Sequence, residues 1–120
     1  MMRFTDEEIR YAIELKRKGL NWEPRPGHYV WDEAGMIEAP TPFQEKVHLI
    51  HDLEQFARRP ERISLLQASL VWLPTWHDAR ALLDQMGISN ETIVHRLRAE
   101  KAIEHGKELL TLYKLINEHL

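Results

Sequence analysis

His48, His51 and Asp52 have the residue types and spacing with the clearest chemical meaning in this chain of 120 residues. On a helix they fall at positions i, i+3 and i+4, so they share one face. Neutral imidazole and carboxylate ligate divalent metals, and a bound metal activates water for hydrolysis. Two His-Asp dipeptides, His51-Asp52 and His77-Asp78, repeat the pairing. On amphipathic helices the same residues would equally make an ordinary solvated face. A second set is aromatic. Trp22, Trp31, Trp72 and Trp76 each sit beside proline or a polar residue, and Trp22-Glu23-Pro24-Arg25-Pro26-Gly27-His28 is a loop braced by prolines. A pocket lined by these indoles, with Arg25, His28 and Asp32 at its mouth, would hold a small ligand or a peptide. Indoles also pack for their own sake, wedging one element onto another with their N–H groups on carbonyls.

Two motifs resemble known ones. The His-Asp pairs distantly resemble the metal motif of helical phosphohydrolases, which implies a divalent metal at His48, His51 and Asp52. They depart from it in lacking an obvious further aspartate on a later helix; only Asp84 is available. The stretch from Asp78 to Arg98 resembles the bacterial helix-turn-helix DNA-binding unit. Gly87-Ile88-Ser89 matches its turn and Thr92-Ile93 the core of its second helix. Residues 76–98 would then bind duplex DNA, with Asn90, His95 and Arg98 facing a groove. Leu83 stands where a small residue normally lets the helices approach, and Arg96 where an apolar one is buried. Trp76 to His105 carries four basic and five acidic side chains, a poor surface for phosphates.

The elements that must position these residues are largely helical. Thr5 and Glu8 form a capping box, acidic residues 6–8 and basic residues 16–18 suit the two helix ends, and Gly19 stops the helix. From Asn21 to Pro40, prolines and glycines break helix. His28 to Asp32 and Met36 to Glu38 flank Glu33-Ala34-Gly35 and predict a small hairpin. Thr41, Pro42 and Gln44 predict a helix start, continued by Val47, Ile50, Leu53 and Phe56 and closed by Arg58, Arg59 and Pro60. Alternation of Val47, Leu49 and His51 allows a strand over 46–52 instead. Ile63, Leu66, Leu70 and Leu73 predict a buried helix, or a short helix running into an extended corner at Pro74. The Trp72–Trp76 corner is expected at the centre of the fold. Thr75 and Asp78 open a helix over Trp76–Met86, stopped by Gly87.

Residues 89–120 predict a long C-terminal helix with a seam through Leu109, Tyr113, Ile116 and Leu120. At about 1.5 Å per residue it would outrun a compact globule. It must therefore break near His105-Gly106, or project and pair with a second copy.

Composition bounds the rest. The chain is 43% hydrophobic and 29% charged, which is globular, and its net charge of −3 is spread evenly: nine basic and eleven acidic side chains in residues 1–60, seven and eight in 61–120. The absence of cysteine excludes disulfides and thiolate chemistry and fits a reducing compartment. No stretch reaches the about 18 apolar residues of a membrane span, and the N-terminal residues lack a signal peptide's apolar core. There is no phosphate-cradling glycine loop and no nucleophile elbow, so no cofactor is implied. The expectation is one cytoplasmic α+β domain over 1–120, with about five helices and one small hairpin. Its expected role is that of a non-enzymatic binding or interaction protein, homodimeric through its C-terminal helix.

Overall fold

The computed structural model describes residues 3–58 and 60–120. It shows a helix-dominated α+β domain: helices α1 (Asp6–Arg17), α2 (Leu53–Ala57), α3 (Ile63–Ser69), α4 (Trp76–Gln85), α5 (Asn90–Ala99) and α6 (Glu108–Glu118), and strands β1 (Tyr29–Trp31), β2 (Val47–Leu49) and β3 (Val71–Leu73). α2 is little more than one turn, so five helices carry the fold. The strands form one antiparallel sheet in the order β2-β1-β3. Val30 lies opposite both His48 and Trp72, and Trp31 opposite both Val47 and Val71.

Cross-strand partners share a face, so this register divides the core. On one face Val47, Val71 and Leu73 pack with Phe4, Ile9, Ala12 and Tyr113, under α1 and α6. On the other, Val30 and Trp72 meet Trp22, Ile50, Ala57, Leu66 and Leu70. A third cluster lies among the helices, joining Leu15, Leu83, Ile93, Leu97, Leu112 and Ile116 with Ala102 of the 100–107 connection.

Local signals explain most boundaries. Thr5 and Thr75 both form full capping boxes, with Glu8 and Asp78, and Ser89 caps α5. α1, α4 and α5 end in the same way. The amide at C′ bonds back to C2 and the next amide to C3: Gly19 and Leu20, Gly87 and Ile88, Lys101 and Ala102. Each pair leaves a left-handed residue at C′, at φ 90°, 79° and 50° respectively. This is the Schellman closure.

The structure corrects three expectations. Thr41 to Gln44 does not start a helix. Thr41 Oγ1 donates to the Val47 carbonyl at 2.5 Å and Gln44 accepts from the Phe4 amide at 2.9 Å, so residues 47–49 enter the sheet as β2. Met36 to Glu38 is no strand. The buried Asp32 carboxylate accepts from the amides of Met36 and Ile37, at 3.0 and 2.8 Å, and closes a turn instead of a ladder. The Trp72–Trp76 corner is central only in part: Leu73 and Pro74 are buried, whereas Trp76 is 40% exposed.

The C-terminal segment is interrupted from 100 to 107, and α6 turns back against α1, α4 and α5. Tyr113 and Ile116 are fully buried inside the domain, where Tyr113 donates its hydroxyl to the Pro74 carbonyl. The seam of Leu109, Tyr113, Ile116 and Leu120 is therefore mostly internal, with Leu120 exposed at the chain's end.

Candidate functional site

The loop after α1 is fixed at both ends. Leu20 is held by the closure of α1, and the Trp22 carbonyl accepts from Gln67 Nε2 at 2.5 Å. Gly27 and His28 join β2's continuation, the Gly27 amide to the Ile50 carbonyl at 2.7 Å and the Ile50 amide to the His28 carbonyl at 2.9 Å. Between these anchors Trp22, His28 and Trp72 pack as a triangle. Trp22 and Trp72 stack at 6.4 Å and 12°, and His28 lies 4.9 Å from Trp72.

Trp22 Nε1 sits 3.0 Å from His28 Nδ1. An indole nitrogen only donates, so Nδ1 accepts and the imidazole proton sits on Nε2. Burial pushes the His28 pKa down; Asp78 opposes this and Arg25 adds to it. His28 is thus a neutral ring held in one tautomer.

A cleft of about 300 Å³ opens beside this triangle. The loop contributes Asn21, Trp22, Glu23, Arg25 and His28, the sheet Trp72, and α4 contributes Asp78, Ala81, Leu82 and Gln85. Arg25 and Glu23 pair loosely at 3.4 Å, and both are largely exposed. On the far side of the indoles a second depression, of about 230 Å³, is lined by Ala12, Lys16, Gln67 and Leu70. Lys16 Nζ donates there to the carbonyls of Ala68 and Leu70 at 2.6 and 3.0 Å, which closes the end of α3. Burial pushes the Lys16 pKa down.

The structure therefore brings Trp22, Arg25, His28 and Trp72 together and leaves three of their expected companions elsewhere. Asp32 is committed to its turn. Trp31 faces α1 and α6, with Lys46 Nζ 5.6 Å from its ring. Trp76 lies on the surface with Arg80 5.7 Å from its ring. The contribution of α4 was missed from sequence. Asp78, Ala81, Leu82 and Gln85 stand at i, i+3, i+4 and i+7, one helix face, but nothing in the sequence says that the 21–28 loop docks there.

His48, His51 and Asp52 do not share a helical face. His48 is buried on β2, its pKa pushed down by burial against the charge of Asp32; His51 is exposed in the turn that follows. Asp52 Oδ1 accepts from the Glu54 amide at 2.9 Å, at the start of α2. Among the described residues no group of three or more histidine or acidic side chains is placed to hold a metal.

Asn90, His95 and Arg98 do share one open face of α5, with Glu91 and Val94 between them. Asn90 accepts from Arg80 Nη2 at 2.7 Å. Arg96 points elsewhere, pairing with Glu118 and Glu100. Among the described residues no helix is long and apolar enough to cross a membrane. No protein-family model, curated protein or solved structure matches the chain, so the chemistry of the cleft is argued from its own residues.

Proposed function

We propose that this is a small non-enzymatic binding protein whose ligand lies in the cleft between the 21–28 loop and α4. The observation that carries this reading is the juxtaposition, in one cleft, of the Arg25 cation, the carboxylates of Glu23 and Asp78, and an apolar wall from Trp72, Ala81 and Leu82. Such a set suits a small zwitterion with an apolar body, an amino acid or the end of a short peptide. Its carboxylate would meet Arg25, its ammonium Asp78 and Glu23, and its body the wall. A chain without cysteine suits a reducing, cytoplasmic setting. The duplex-DNA alternative has less support, since Glu91 shares the α5 face and Arg80 engages Asn90.

The test is a titration of the intact protein with amino acids and dipeptides, followed by tryptophan fluorescence and by the indole N–H resonances of Trp22 and Trp72. Saturable binding that weakens about tenfold in Arg25→Gln, the loss of about 1.4 kcal/mol, is expected. A flat response to the whole panel at millimolar concentration would remove the reading.

A further inference from the structure

The surface opposite in character to the charged cleft is an apolar patch built from three separate segments. Trp76 opens α4, Ile103 lies in the 100–107 connection, and Leu109 lies in the first turn of α6. Trp76 is 40% and Ile103 65% exposed. Leu97 floors the depression between them and Glu108 borders it.

Ile103 is not presented by a loose loop. The closure of α5 fixes Lys101 and Ala102, and a second turn of the same kind follows at once, with the Gly106 amide bonded to the Ile103 carbonyl at 3.2 Å and the Lys107 amide to the Ala102 carbonyl at 2.8 Å. Ala102 is buried in the helical core, 1% exposed. The chain thus adopts two consecutive left-handed positions, Lys101 and Gly106, around an isoleucine that faces solvent. A fixed, outward-facing isoleucine that joins Trp76 and Leu109 in one exposed apolar patch is the kind of surface that marks an interaction site.

The charges around the patch say which partner. Arg80, which donates to Asn90 through Nη2, lies over the Trp76 ring, and Glu108 stands at the patch's α6 border. A two-fold contact pairs residue i of one copy with residue j of the other, and j with i. An apolar centre flanked by one cation and one carboxylate satisfies that rule with itself. We propose that Trp76, Ile103 and Leu109 form a self-association surface, pairing two copies of this chain with Arg80 of each facing Glu108 of the other. Leu109 is the one residue of the expected helix seam that takes part; Tyr113 and Ile116 serve the domain's own core.

The experiment is sedimentation of the full chain from about 1 to 500 μM. A monomer–dimer equilibrium is expected. Ile103→Asp should raise the dimer's dissociation constant at least tenfold while leaving the melting profile of the monomer unchanged, because the side chain is already in solvent. Arg80→Glu and Glu108→Arg should each weaken the dimer several-fold, and the double reversal should restore it. A chain that stays monomeric throughout overturns the proposal. So does a dimer indifferent to Ile103→Asp, or one in which neither charge reversal has an effect.

Discussion

Trp22 donates its indole N–H to Nδ1 of His28 at 3.0 Å, and the two rings close a triangle with Trp72. The bond exists only while Nδ1 carries a lone pair. A proton added there would set donor against donor, in the middle of the packing that forms the cleft wall.

Acid should therefore loosen the cleft before it unfolds the protein. Burial holds the His28 pKa below its ordinary value, so between the folded and unfolded values the unfolded chain binds more protons. The stabilisation is complete above the unfolded histidine value, about 6.5, and is lost as pH falls toward the folded one. His48, buried beside Asp32, is displaced in the same direction and adds to the slope. Melting temperature should fall as pH drops below about 6.5, and His28→Gln, which keeps an acceptor for Trp22, should flatten part of that fall. An unchanged slope in His28→Gln would show that the imidazole is not the titrating group.

Tyr113 is the pin of the corner at Pro74. Its ring is fully buried, its hydroxyl donates to the Pro74 carbonyl, and burial pushes its pKa well above that of a free phenol. Tyr113→Phe keeps the ring and removes the donor, leaving a buried carbonyl without its partner. Chemical denaturation should show a loss of about 1–3 kcal/mol. A near-neutral result would mean that the corner is held by packing alone.

How much of this architecture was legible in the sequence follows from where its signals are local. Thr5 and Thr75 announced two helix starts, because a cap needs only residues within one turn. Gly19 and Gly87 announced two helix ends. The end of α5 was hidden, because Lys101 occupies the left-handed position that glycine holds elsewhere. A break near His105-Gly106 was one of the two expectations for this segment, and the interruption from Glu100 to Lys107 contains it. β2 was legible only as the alternative to a helix, a strand over 46–52, for a different reason. Thr41, Pro42 and Gln44 satisfy a helix cap on paper, but Gln44 and Thr41 bond to Phe4 and Val47, and no rule of spacing reports a partner forty residues away. The cleft falls between these cases: its loop residues were visible as a Trp- and Pro-rich stretch, while the face of α4 that completes it depends on docking.

Lys101 gives a direct test of the helix ends. A left-handed conformation costs a residue with a Cβ about 1–2 kcal/mol, and glycine gives back part of that in unfolded-state entropy. Lys101→Gly should raise stability by about 0.5–1 kcal/mol, as read by denaturant midpoint. The reverse change, Gly87→Ala, meets no atom within 4 Å, so its cost should be the backbone conformation alone, about 1 kcal/mol. If Lys101→Gly destabilises, residues 100–102 do not close as described.

The polar part of the join between α5 and α6 centres on one guanidinium, beside the apolar packing of Ile93 and Leu97 on Leu112 and Ile116. Arg96 reaches Glu118 with two nearly parallel bonds, at 2.8 and 2.7 Å, and turns its Nε to Glu100 within its own helix. Lys114 approaches Glu100 from α6 at 3.4 Å, so four charges alternate in sign across the gap. The Arg96 side chain is 29% exposed and that of Glu118 47%, so water and salt screen the pair, and its contribution should lie near that of a well-formed surface bridge. Glu118→Gln should cost about 0.5–1 kcal/mol at low ionic strength, and the difference from wild type should shrink toward zero in about 1 M salt. The Arg96 cation holds the Glu118 carboxyl below the usual carboxylate range, so the same stabilisation should fade as pH falls through that range. Were α6 to project from the domain instead of folding back, Glu118 would stand far from Arg96, and Glu118→Gln would change neither stability nor its dependence on salt.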